Sequence, residues 1–286
     1  MKKDEVFGVA GESGCGKSTL AFAIMQYMKP PRYLEDGKII FDGINLLKLD
    51  KEKLREIRWK RISLIPQSAM NALNPVMKVK EQIADAIMAH EKISKEDLSA
   101  RILELLDSVG LPPRVAEMYP HELSGGMKQR AIIAMAIALQ PELIIADEPT
   151  TALDVAVQRL VLQTILNVRR KLRSSLILIT HDMGVQAASA DRLGIMYAGK
   201  MVEVGDVVSI YKNPLHPYTE LLISAIPSIK KKKTLKGISG LPPDLINPPS
   251  GCRFHPRCPY AMEICKKEEP EIREISSQLV ACHLYN

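Results

Sequence analysis

The feature that most constrains this chain is GESGCGKS, Gly11 to Ser18, set between the apolar run VFGVA (Val6 to Ala10) and the helix-like TLAFAIMQYM. A short apolar run without alternation reads as a strand covered on both faces. Glycines directly after it read as a tight loop opening a helix. The spacing is G-x-x-x-x-G-K-[ST], in the strand-to-helix context that a phosphate-cradling loop requires. Its glycines let consecutive backbone N–H groups turn inward as an anion nest at a helix N-terminus, Lys17 reaches the β- and γ-phosphates, and Ser18 is a ligand for Mg²⁺. Gly11, Ser13, Gly14, Cys15, Gly16, Lys17, Ser18 and Thr19 are therefore the candidate residues for a nucleoside triphosphate. The competing reading, a glycine-rich turn with a chance lysine, does not explain that context.

LIIADEP, Leu143 to Pro149, delivers two carboxylates at the end of another buried strand, where open α/β sheets bind ligands. Asp147 is placed for Mg²⁺ and Glu148 for polarising an attacking water. Taken alone, Asp-Glu after a strand could equally cap the next element. LILIT, Leu176 to Thr180, is a third such run, and helical stretches over Gln129 to Leu139 and Val155 to Leu172 alternate with these strands. The expected fold is α/β, three-layered, with a mostly parallel sheet flanked by helices.

Between Gln82 and Leu111 the spacing of Ile83, Ile87, Leu98, Ile102, Leu105 and Leu106 is helical, with a break at Ile93 to Lys95. This predicts a helical subdomain, about residues 70–135, inserted in a nucleotide-binding domain over residues 1–227. From Pro227 onward the composition shifts to lysine and proline, and residues 228–286 read as a small C-terminal extension.

A length of 286 residues with 46% hydrophobic content suffices for a sizeable core, which excludes disorder throughout. The net charge of +6 is modest and partly due to Lys230 to Lys233 and Lys236, a solvated tether that does not call for a nucleic-acid partner. No stretch approaches the roughly 18 apolar residues of a membrane span, and MKKDEVFGVAGESG does not read as a signal peptide. A cytoplasmic location is expected.

LSGGMKQR, Leu123 to Arg130, resembles the signature motif of ABC-type ATPases, which in that family contacts the γ-phosphate held by the opposite subunit. Gln67 resembles the family's Q-loop glutamine, TALD at Thr151 to Asp154 its D-loop, and His181 in LITHD its switch histidine. Singly, Gln67 reads as a surface amide, Ser124, Gly125 and Gly126 as a cap and turn, and His181 as a core histidine. It is their order that argues otherwise.

The stretches Ile65 to Ile83, Gly205 to Pro227 and CRFHPRCPYAMEIC (Cys252 to Cys265) are similar to ATPases of the peptide and nickel import branch of the same family. The resemblance implies a P-loop NTPase of ABC type that binds ATP and Mg²⁺ as one half of a head-to-tail dimer with an identical or related subunit. It further implies permease subunits, peripheral attachment to the cytoplasmic face of the cell membrane, and an extracytoplasmic solute-binding protein as an indirect partner. In that scheme Glu148 orients water, His181 contacts the γ-phosphate, Gln67 senses Mg²⁺ and links to the permease, Ser124 to Gly126 reach the partner's nucleotide, and Asp154 couples the two sites.

Peptides, nickel and oligosaccharides are all left open as cargo. The rival class is a DNA-maintenance ABC ATPase, whose large insertions are missing from the transporter-like interval of about a hundred residues between Lys17 and Ser124. In the family, strands and an adenine-stacking aromatic precede the phosphate loop, whereas Met1 lies ten residues before Gly11. The resemblance therefore predicts that about 35 to 40 residues of the domain lie outside this chain.

Four of the five cysteines, Cys252, Cys258, Cys265 and Cys282, form a C-x5-C-x6-C-x16-C pattern, which in a reducing compartment suggests metal before disulfides. The intervals are wider than the C-x-x-C pairs of structural zinc. Some relatives in the peptide-import branch hold a [4Fe–4S] cluster in this region, so the resemblance implies iron–sulfur. Zn²⁺ and free or paired thiols are the alternatives, with His255 and His283 as substitute ligands.

Overall fold

The computed structural model describes residues 1–28, 30, 33–67, 72–226 and 237–285. The 227/228 boundary, the lysine run, residue 70 and Ser68 to Asn71 lie outside the described residues. In chain order the first elements are β1 (Val6–Ala10), α1 (Lys17–Ile24), β2 (Ile40–Phe41), β3 (Ile44–Asn45), α2 (Lys51–Ile57) and β4 (Ile62–Ile65). There follow α3 (Val79–Met88), α4 (Lys95–Ser108), α5 (Gly125–Ala136), β5 (Leu143–Asp147), α6 (Val155–Leu172) and β6 (Ser175–Ile179). The remainder comprises α7 (Met183–Ser189), β7 (Arg192–Tyr197), β8 (Lys200–Asp206), α8 (Val207–Lys212), α9 (Pro217–Ser224), α10 (Glu263–Lys267), β9 (Ile272–Ile275) and β10 (Gln278–Ala281).

The chain divides into two compact units, Met1–Asp4 with Thr19–Ile177, and Glu5–Ser18 with Leu178–Asn286. In the first, β4 and β5 run parallel, with Ile62 opposite Leu143 and Ile65 opposite Ala146. All five residues of β5 are buried, which is why its sequence is an unbroken apolar run rather than an alternating one. α6 covers its own stripe of buried Val161, Thr164, Ile165 and Val168, the i, i+3, i+4, i+7 pattern of one helix face. Asp154 caps its N-terminus by accepting the Val157 N–H at 3.0 Å, and Arg173 ends it in the left-handed region at φ 56°.

The helices α3 and α4 realise the expected helical stretch, and the break falls where Ser94 accepts the Asp97 N–H as the cap of α4. Buried Gln82 fastens the loop before α3 by accepting the Asn74 N–H and donating to the carbonyls of Asn74 and Met77. α5 begins at Gly125, four residues before the helix read from the sequence, because Ser124 caps it and accepts the Met127 N–H. Its early glycine has a packing reason: a Cβ on Gly126 would sit 2.5 Å from a methyl of Val157 on α6.

In the second unit β1 pairs parallel with β7, β8 runs antiparallel to β7, β10 antiparallel to β8, and β9 antiparallel to β10. Residues 237–285 thus belong to the same compact unit as β1 and the phosphate loop, joined through β10 on β8. The core of this unit gathers Ala10, Leu193, Ile195, Tyr197, Val202, Ile210, Tyr218 and Phe254. Phe254, from the cysteine-bearing segment, stands edge-on to Tyr197 at 5.0 Å and 5.3 Å from Tyr218.

Candidate functional site

In the second unit, β1 ends at Ala10 and the chain turns through Gly11 to Gly16 into α1. Gly11 has no room for a side chain, since a Cβ there would lie 2.1 Å from the Met196 carbonyl oxygen. Lys17 is buried, its ammonium donating to the carbonyls of Gly11 at 2.8 Å and Glu12 at 2.9 Å, and lying 3.7 Å from the Cys15 sulfur. Burial pushes the Cys15 thiol up against the opposing pull of Lys17. A buried lysine at the centre of a loop whose first glycine admits no Cβ fits a polyphosphate, with Ser13 and Gly14 open to solvent at the rim. Thr180 is buried and His181 exposed after β6, and Asp182 caps α7 through the Val185 N–H.

In the first unit, Asp147 is buried at the end of β5. Glu148, next in the chain, sits at φ 44°, a left-handed conformation that costs about 1 to 3 kcal/mol for a residue with a side chain. Its carboxylate oxygen Oε2 accepts from the Gln67 amide at 2.9 Å and from the Thr151 hydroxyl at 3.0 Å. The structure therefore brings Gln67 and Glu148 together. Thr151 is a holder of Glu148 that the sequence reading passed over. The signal was there, a hydroxyl three residues beyond a strained turn.

Chain comparison fits this geometry. Residues 1–151 match the ABC transporter family model, and residues 202–265 match that of the oligopeptide/dipeptide transporter C-terminal region. The chain belongs to the ABC transporter family. Among its ABC relatives, the dipeptide transport ATP-binding protein DppD of Caldanaerobacter subterraneus subsp. tengcongensis is 46% identical over 99% of this chain and 88% of its own length. The oligopeptide transport ATP-binding protein OppD of Bacillus subtilis is 45% identical over 96% and 78%. A solved dimeric ATP-binding cassette, in a post-hydrolysis state bound to ADP and Pi, is 30% identical with a TM-score of 0.63, covering 72% of this chain and 87% of that one. The chain is an ABC ATPase with the P-loop NTPase fold of that family.

Ser124 and Gly125, in the stretch that resembles the ABC signature motif, lie at the open N-terminus of α5, Ser124 exposed and Gly126 buried against Val157. Asp154 is exposed and serves as the α6 cap, a local role that leaves one carboxylate oxygen outside the 3.0 Å cap bond. Among the cysteines, the Cys252 N–H donates to the Cys265 carbonyl at 2.8 Å. Burial pushes the thiols of Cys252, Cys258 and Cys282 up, that of Cys282 to about 11, and the charge of Cys265 adds to the shift in each. Cys282 also feels Cys252 and Cys258, so the four sulfurs lie within electrostatic reach of one another. Among the described residues no set of three or more His, Cys, Asp or Glu side chains is already drawn together around a metal position. Four thiols match a thiolate-bound centre in number alone, and ionising together they would need a cation to compensate their charge.

Proposed function

We propose that this chain is the ATP-hydrolysing subunit of a peptide importer, driving transport by closing on ATP as half of an ATPase dimer. The observation that carries the reading is the buried Lys17 folded back onto the Gly11 and Glu12 carbonyls of the glycine loop, on a chain whose relatives are named for dipeptide and oligopeptide transport. Gly11, Ser13, Gly14, Cys15, Gly16, Lys17, Ser18 and Thr19 would bind the phosphates. Ser18, Gln67 and Asp147 would hold Mg²⁺, which neutralises charge on the phosphates, and His181 would contact the γ-phosphate. Glu148, held by Gln67 and Thr151, would take the proton of the attacking water. Ser124, Gly125, Gly126 and Asp154 would serve the dimer partner's nucleotide.

The division into residues 1–227, with a helical subdomain near 70–135, and an extension over 228–286 is part of this reading. The oligopeptide/dipeptide match over residues 202–265 speaks against a DNA-maintenance role. Permease docking is supported by a largely apolar groove of about 520 Å³ whose lining includes Pro66, the residue before Gln67, with Phe22, Tyr27, Trp59, Ile132 and Met135. No described helix is long and apolar enough to cross a membrane, in keeping with peripheral attachment through that permease.

Nucleotide titration tests the reading directly. Lys17→Ala should weaken Mg-ATP binding by about tenfold or more, since it removes the one cation in the nest. Unchanged affinity would remove the loop as the ATP site.

The four cysteines would hold a [4Fe–4S] cluster, with Zn²⁺ as the alternative occupant and a structural crosslink as the contribution of either. Anaerobic purification should yield a brown chain with about four iron atoms. A colourless chain with stoichiometric zinc would replace iron by zinc, and neither metal would leave four packed thiols.

A further inference from the structure

Glu12 is the residue of the phosphate loop most tightly gripped from elsewhere in its unit. Its N–H donates to the Tyr218 hydroxyl at 2.9 Å, and its carbonyl accepts from Lys17. Its carboxylate receives both arms of Arg257, Nη1 to Oε2 at 2.7 Å and Nη2 to Oε1 at 2.9 Å. Arg257 comes from 245 residues further along the chain, in the short turn between Cys252 and Cys258. Its side chain is only 6% exposed, and it is fixed in turn by the Tyr197 hydroxyl at 3.3 Å and the Ser239 carbonyl at 2.9 Å.

The same segment touches the loop's surroundings a second time. Arg253 donates to the Ala198 carbonyl, and the N–H of the next residue, Gly199, donates to the Cys15 carbonyl at 2.8 Å.

A carboxylate in a loop built to receive a polyphosphate opposes its ligand unless its charge is neutralised. A two-pronged guanidinium does this while also fixing the carboxylate's direction, which a lysine cannot match. Because the pair is mostly out of water, losing one member leaves the other as an uncompensated charge that pulls its backbone toward solvent. That backbone is the second residue of the phosphate nest.

We propose that Arg257 is a positioning residue for the phosphate loop, so that the cysteine-bearing segment Cys252 to Cys258 sets the loop's affinity for the nucleotide triphosphate. The proposal rests on the reading of Gly11 to Thr19 as the ATP site. It gives the C-terminal segment an influence on that site through one ion pair rather than through contact with nucleotide.

The test is equilibrium titration of the full chain with Mg-ATP, at a temperature where circular dichroism shows every variant folded. Arg257→Ala should raise the Kd about tenfold, and Arg257→Lys, which keeps the charge but not the fork, about threefold. Glu12→Gln breaks the pair from the loop side, and the double variant Arg257→Ala/Glu12→Gln should bind no more weakly than Arg257→Ala alone, since both act on one interaction. Should Arg257→Ala not fold, Arg257→Lys and Glu12→Gln carry the measurement. A Kd within twofold of wild type in the folded variants, with only the melting temperature lowered, would overturn the proposal and leave a purely structural pair. A wild-type chain that fails to bind Mg-ATP would instead overturn the ATP-site reading beneath it.

Discussion

Glu148→Gln should abolish turnover while leaving nucleotide binding in place. The substitution is isosteric, and the amide oxygen of glutamine can still accept from the Gln67 amide and the Thr151 hydroxyl that now meet at Oε2. The strained φ of 44° is a property of the turn after β5 and is equally open to either side chain. What disappears is the negative charge that can take a proton from water. General-base contributions of this kind are worth about 10²- to 10⁴-fold in rate, or about 2.7 to 5.4 kcal/mol at 1.36 kcal/mol per decade. Phosphate release by the chain assembled with its permease should fall by that factor, while the Kd for Mg-ATP should shift less than about threefold. ATP-dependent dimers should accumulate, since hydrolysis no longer dissolves them. Turnover within tenfold of wild type would assign the water to another group. Thr151→Ala, which loosens the carboxylate without removing it, should cost only a few-fold.

The legible parts of this chain are those whose cause is local. β1 and β5 fall where their continuous apolar runs put them, and α6 spans Val155–Leu172 as read, because Asp154 starts it and the arginine-rich last turn closes it. β6 is shifted by one residue from the expected run, to Ser175–Ile179. The early start of α5 was not legible, since glycine propensity argues against a helix there and only the approach of Val157 explains Gly126. Candidate nucleotide residues could be named from the sequence because phosphate, Mg²⁺ and water each call for a particular side chain at a fixed distance from a strand end. The Arg257–Glu12 pair and the place of Phe254 were not legible: no local periodicity relates positions that lie well outside one helix or strand in the sequence. The same holds for the extension as a whole. With few aromatics it reads as a piece without a core, yet it uses the aromatic core of the unit it joins.

Phe254 makes that last point measurable. It is 1% exposed and packs against Tyr197, Tyr218 and, at 5.8 Å, His216, while Tyr197 and Tyr218 themselves stand 4.6 Å apart. Burial pushes the Tyr218 hydroxyl well above its ordinary range, and holds the His216 imidazole down at about 4 and so neutral. The cluster is therefore uncharged at physiological pH and depends on shape and ring contact. Phe254→Ala should destabilise the chain by about 3 to 5 kcal/mol, the transfer of a buried ring plus the cavity it leaves. Phe254→Leu, which fills most of the volume, should cost less than about 1.5 kcal/mol. The expected readout is a thermal midpoint lowered by about 6 to 20 °C for alanine, at roughly 2 to 4 °C per kcal/mol for a body of this size. Were the cysteine-bearing segment an independent body held only by its own thiols, the ring's removal would leave the melting of β1, β7 and the phosphate loop untouched. Co-melting of that strand pair with the segment, followed by hydrogen exchange at the amides of Ala10 and Ile195, separates the two cases, because both residues belong to the core that Phe254 completes.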